Sequence, residues 1–178
     1  MLSINEDGIS RISVLTLPGR RFVALPKLPG GVLLGIRFNA TGERVAVTLS
    51  SARSTADAYV IDLGERSLTQ WTKSEIGGID ETALVEPDLI RYPTFDAING
   101  EPRTIPAFVY RPQRSGPHPV LVLIHGGPEA QFRPYFSATI AYLVNELGIA
   151  VVAPNVRGSA GYGKSYLQLD NAACGKTR

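Results

Sequence analysis

Two apolar runs, each opening into a glycine-rich turn, constrain this chain more than any other feature. Residues Val120 to Pro128 read VLVLIHGGP, and Ile149 to Ala153 run into Pro154-Asn155-Val156-Arg157-Gly158-Ser159-Ala160-Gly161-Tyr162-Gly163. A continuous apolar run of this length predicts a strand buried on both faces. Between the two runs, Phe136, Ile140, Leu143 and Leu147 recur at helical spacing, which predicts a helix over 136–147 with Gly148 capping its end. Leu89 to Phe95 and Ile105 to Tyr110 read as strands around an Asn99-Gly100 hairpin turn. A hairpin followed by strand, helix and strand predicts the opening of a mixed α/β sheet over 89–178.

The preceding part follows another rhythm. Short strands are expected at Arg11–Leu17, Arg21–Leu25, Val32–Phe38, Arg44–Leu49, Ala58–Leu63 and Leu68–Trp71, parted by turn residues with no helical pattern between them. Four strands in about 40 residues is the size of a β-propeller blade. Residues 31–73 then form one blade, and residues 9–28 the last two strands of the blade before it. Residues 1–73 are read as a partial propeller of about one and a half blades, short of the four or more that close a ring. Residues 74–88, with Gly77, Gly78, Pro87 and several acids, read as a linker.

Composition removes several function classes. The 178 residues carry a net charge of +2 and no run of five Lys or Arg, so neither a nucleic-acid partner nor a membrane-surface partner is expected. No apolar stretch approaches membrane-spanning length. Met1 to Ser10 is polar and unlike a signal peptide, so the expected compartment is the cytoplasm. Cys174 is the only cysteine, which leaves no disulfide and no thiolate metal cluster within the chain. No phosphate-binding glycine loop or metal-ligand spacing occurs, so neither cofactor nor metal is expected.

In an open sheet, ligands sit outside the carboxyl ends of the parallel strands. His125, Gly126 and Gly127 hold that position after the first apolar run. Acyl transfer requires preorganised donors for an oxyanion, and glycines bring bare N–H groups close to a substrate carbonyl. The bland alternative is a tight strand-to-helix turn. The strand before, Pro128 after and the helix beyond favour the functional reading. Arg157 reads as a structural ion-pair partner. His118, in a proline-flanked loop, reads as solvated, and Glu129, Arg133 and Tyr135 as ordinary polar positions near a helix start. Ser159 is a poor nucleophile candidate. Its surroundings, Gly158-Ser159-Ala160-Gly161, depart from Gly-x-Ser-x-Gly, and both histidines, His118 and His125, precede it, whereas α/β-hydrolases run Ser, then acid, then His.

With these residues in view, IHGGPEAQFRP, AYLVNELG and APNVRGSAGYGKSYL resemble the catalytic domain of the prolyl oligopeptidase family of serine peptidases, nearest its acylaminoacyl-peptidase and dipeptidyl-peptidase-like members. EPDLIRYPTFDAINGEPRTIPAFVYRP resembles the family's passage from propeller to hydrolase domain, and FNATGERVAVTLSSARSTADAYVIDL its last blade. The resemblance implies a partial β-propeller followed by the N-terminal part of an α/β-hydrolase domain. It implies an oxyanion hole at His125, Gly126 and Gly127, and short peptides as substrates of the parent enzyme, cleaved through an acyl-enzyme. It says nothing of oligomeric state. The nucleophile Ser, the Asp and the His are expected beyond this chain, whose last residues, Ala172 to Arg178, match nothing in the family; a frameshift, an early stop or a truncated gene is the expected reason. The alternative is a remnant without activity, or a peptide-binding fragment.

Overall fold

The computed structural model describes residues 1–127 and 129–169. They divide into two compact units, Met1–Ala83 with Pro134–Phe136, and Leu84–Arg133 with the chain from Ser137 onward.

The first unit contains two antiparallel sheets. Strands β4 (Val32–Phe38), β5 (Arg44–Ser51), β6 (Ser54–Asp62) and β7 (Ser67–Gln70) pair in chain order, the arrangement of a propeller-like blade. The core follows from alternation along the strands. Val45, Val47 and Leu49 of β5 and Tyr59 and Ile61 of β6 face one side, with Val45 opposite Ile61 and Val47 opposite Tyr59. Val45 and Ile61 are fully buried, each worth about 1.5–3 kcal/mol relative to exposure. Asp57, also buried, accepts from Ser54 Oγ at 2.7 Å, from Thr72 Oγ1 at 3.0 Å, and from both the amide and the hydroxyl of Ser74. Burial works to raise its pKa; the hydrogen bonds from Ser54, Ser74 and Thr72 outweigh that and hold it below the ordinary carboxylate value.

The second sheet of this unit has three strands: β1 (Leu2–Glu6), β2 (Ile9–Leu15) and β3 (Phe22–Val23). Strand β1 was not expected. It folds back on β2 through Asp7 and Gly8, whose φ angles of 49° and 85° form the tight hairpin turn that an Asp-Gly pair favours. Met1, Ile12, Leu25 and Leu28 pack on the β5–β6 core.

The second unit is a four-stranded mixed sheet of order β10-β11-β9-β8. Strands β8 (Asp88–Ile98) and β9 (Glu101–Tyr110) form the expected hairpin, with Asn99 and Gly100 both at positive φ. Strand β11 (Ala150–Pro154) runs antiparallel to β9 and parallel to β10 (Val120–Val122). The run at 120–124 behaves differently from expectation. Strand β10 spans Val120–Val122, and Val120, Val122 and Ile124 are 62%, 57% and 64% exposed. The reason is position: among the described residues β10 is the sheet edge, whereas β11 lies between two strands and is buried.

The helix between them is also shorter than expected. It begins at Ser137, whose Oγ caps Ile140 N, runs as α1 (Ala138–Ala141) and widens into a π-helical turn over Tyr142–Glu146. The widening puts Ile140 and Val144 on the buried side and leaves Leu147 half exposed. Gly148, at φ 66°, ends it as expected. Helix α2 (Lys164–Leu167) follows the second glycine-rich turn. Pro128, Asp170, Asn171 and the stretch from Ala172 through Cys174 to Arg178 lie outside the described residues.

Candidate functional site

The carboxyl ends of the parallel strands β10 and β11 bring the two glycine-rich turns together within the second unit. Gly126 and Gly127 are exposed, and His125 is partly buried. Gly127 has φ 130°, and a Cβ placed on it would stand 2.8 Å from Ala130 Cβ and 3.0 Å from Ala130 N. Only glycine satisfies both the dihedral and the close approach. Gly126 meets no such obstacle.

The loop beyond is tied to the end of β11. Phe132 N donates to Asn155 Oδ1 at 2.7 Å, and Asn155 Nδ2 donates to Phe132 O at 3.1 Å. Ala160 N donates to Ala130 O at 2.9 Å. Asn155 is fully buried; its amide nitrogen also reaches Tyr162 Oη at 2.9 Å, and its own carbonyl accepts from Tyr166 Oη at 2.8 Å. Burial, with Tyr162 beside it, pushes the Tyr166 phenol up to about 12, so it acts as a donor throughout the physiological range. Sequence reading passed over Asn155. Its only signal was a polar residue at the end of an apolar strand.

Chain order argues against Ser159 as a nucleophile, because both histidines precede it. Folding overrides chain order: His125 Nε2 lies 2.8 Å from Ser159 Oγ. The pair is nevertheless not an exposed nucleophile and base. Ser159 has no exposed surface, and its Oγ also lies 2.6 Å from Val156 O. His125 Nδ1 faces Gly126 O at 3.1 Å, where a triad would place a carboxylate.

Arg157 is a structural partner. Its Nη1 stands 3.5 Å from Asp96 Oδ1, and its guanidinium lies 4.5 Å from the centre of the Phe95 ring. Asp96 also accepts from Arg103 Nε at 2.8 Å. That bond first, aided by the charges of both arginines and opposed by burial, lowers the Asp96 pKa. A bulge in β8 between Pro93 and Ala97 presents Phe95 and Asp96 to Arg157. His118 is partly buried, with Nε2 3.0 Å from Arg114 O. Glu129 and Tyr135 are exposed. Among the described residues no three His, Cys, Asp or Glu side chains gather as a metal site, and no helix is long and apolar enough to cross a membrane.

Solved structures of similar fold include several peptidases. The chain superposes on Pyrococcus horikoshii acylaminoacyl peptidase at 25% identity and TM-score 0.65, covering 92% of this chain and 24% of that one. It matches prolyl oligopeptidase B from Galerina marginata at 17% identity and TM-score 0.76, over 92% of this chain and 23% of that one. It matches a Mycobacterium tuberculosis puromycin-hydrolyzing peptidase at 22% identity and TM-score 0.70, over 90% and 25%. In sequence, 60 residues are 40% identical to "Dipeptidyl peptidase family member 6" of Caenorhabditis elegans, which is 34% of this chain and 8% of that protein. No family model matches. This chain therefore resembles the prolyl oligopeptidase family along most of its length, and it spans about a quarter or less of the proteins it matches.

Proposed function

We propose that this chain is part of a serine peptidase that cleaves short peptides through an acyl-enzyme. In this reading residues 1–73 are propeller blades, 74–88 a linker and 89–178 the opening of an α/β-hydrolase domain acting in the cytoplasm. The turn at His125, Gly126 and Gly127 stabilises the oxyanion formed when a serine attacks the scissile carbonyl. That serine, with its Asp and His, is supplied by sequence outside this chain. The observation that carries the reading is the glycine turn itself. It lies at the carboxyl end of a strand parallel to its neighbour, it is exposed, and its φ of 130° at Gly127 excludes other residues. Exposed backbone donors held in a fixed turn suit a developing negative charge.

The test is genetic and chemical. The coding sequence downstream of Leu169 is read in all frames, and the protein it encodes is assayed on short peptidyl esters. A frame with Gly-x-Ser-x-Gly followed by Asp and His, and hydrolysis that stops when that Ser becomes Ala, is expected. Hydrolysis insensitive to that change contradicts the reading.

A further inference from the structure

We infer that the buried hydroxyl of Ser159 is a positioning residue that, through the His125 ring, sets the direction of the Gly127 N–H. The functional meaning of this rests on the oxyanion reading above; the geometry does not.

Ser159 has no exposed surface, so its hydroxyl serves other protein groups. It is held firmly. Its N–H donates to Val156 O at 3.0 Å, its Oγ lies 2.6 Å from the same oxygen, and Gly158 N is tied to Tyr166 O at 3.2 Å. Oγ also meets His125 Nε2 at 2.8 Å, while Nδ1 of the same ring faces Gly126 O at 3.1 Å. The imidazole thus bridges a fixed turn to the first peptide unit of the glycine turn.

That peptide unit is planar, and its C=O and N–H point in opposite directions. The group that holds Gly126 O therefore aims Gly127 N–H the other way. The protons agree with this. Gly126 O is an acceptor only, so a hydrogen bond from the ring to it requires a proton on Nδ1. A neutral ring with Nδ1–H takes the Ser159 proton at Nε2; an imidazolium donates from both nitrogens and leaves that proton on Val156 O. Nδ1 is a donor to Gly126 O in both arrangements. Removing the Ser159 oxygen removes what holds Nε2, and the ring no longer has one preferred orientation. Gly127, whose φ of 130° glycine alone adopts freely, then loses the restraint on its preceding peptide.

The experiment uses the 178-residue chain labelled with nitrogen-15. Ring-nitrogen signals of His125 and amide exchange at Gly127 are read in the native chain, in Ser159→Ala and in Ser159→Thr. The native ring is expected to show a proton fixed on Nδ1. Ser159→Ala is expected to mix the ring states and to speed Gly127 exchange about tenfold, as for a local opening that has lost one hydrogen bond. Ser159→Thr, which keeps the hydroxyl, restores both. Should Ser159→Ala fail to fold, His125→Phe tests the same bridge from the other side and is expected to speed Gly127 exchange alike. Unchanged exchange at Gly127 in whichever variant folds overturns the inference. In the whole peptidase, Ser159→Ala should lower kcat and leave KM nearly unchanged. If Gly127 loosens yet turnover is untouched, the oxyanion reading fails and the positioning role stands.

Discussion

Asn155 grips the backbone of Phe132 from both sides, accepting its N–H at 2.7 Å and donating to its C=O at 3.1 Å. One buried side chain thereby does for an irregular loop what a neighbouring strand does in a sheet. Leaving a buried backbone donor or acceptor without a partner costs roughly 1–3 kcal/mol each. Asn155→Leu is close in size and removes both partners, so a stability loss of about 3 kcal/mol is expected. Urea titration of the native and variant chains measures it. A difference within about 0.5 kcal/mol, the range of ordinary surface changes, would count against the clamp.

Asp57 makes the first unit sensitive to acid. Its pKa is lowered in the folded chain, because hydrogen bonds from Ser54, Ser74 and Thr72 outweigh its burial. A carboxyl with a depressed folded pKa binds protons more readily when unfolded. Its stabilisation is complete above the unfolded value of about 4 and is lost as pH falls through the folded value. Melting temperature is expected to be level near neutrality and to drop below about pH 4. Asp57→Asn should lower stability at pH 7 and flatten that acid limb. An identical acid limb in the variant would assign it to other carboxyls.

The two glycines of the turn should respond unequally to a methyl group. At Gly127 a Cβ meets Ala130 at 2.8 Å and the φ of 130° disfavours it, whereas at Gly126 nothing lies within 4 Å. In the peptidase proposed above, Gly127→Ala is expected to cost roughly 100- to 1,000-fold in turnover, as for the loss of one oxyanion donor. KM should move much less, since such a donor acts mainly on the transition state. Gly126→Ala, where a Cβ meets no obstacle, should lose less turnover than Gly127→Ala. Near-normal turnover in a folded Gly127→Ala would show a turn that is structural only.

Ser159 should not react with an activated phosphonate. It has no exposed surface, and its Oγ is enclosed between Val156 O at 2.6 Å and His125 Nε2 at 2.8 Å. Incubation of the chain with a fluorophosphonate probe, followed by peptide mapping, is expected to leave Ser159 unmodified. Stoichiometric labelling there would show that the His125–Ser159 contact opens into a working nucleophile.

Local chemistry made much of the fold legible. The meander β4–β7 followed from alternating apolar residues parted by turn formers, and the β8–β9 hairpin from Asn99-Gly100. Asp7-Gly8 carried the same kind of signal for β1, and the polar composition around it hid the strand. Burial was harder to read. Val120 to Ile124 is as apolar as Ile149 to Ala153, yet among the described residues only the second has strands on both sides.

The glycine turn at 126–127 could be found from sequence, because the need for a backbone without Cβ is written in the residue itself. What holds that turn could not. His125 and Ser159 are 34 positions apart, and Phe132 and Asn155 are 23 apart. No periodicity links such pairs. Their hydrogen bonds exist only once β10 and β11 lie parallel and deliver both loops to the same end of the sheet. Strands β4 to β9, their hairpin turns and the glycine positions depend on neighbours along the chain and are legible there. Tertiary structure alone decided which hydroxyl meets which ring and which apolar run is covered, since both depend on strand order across the sheet.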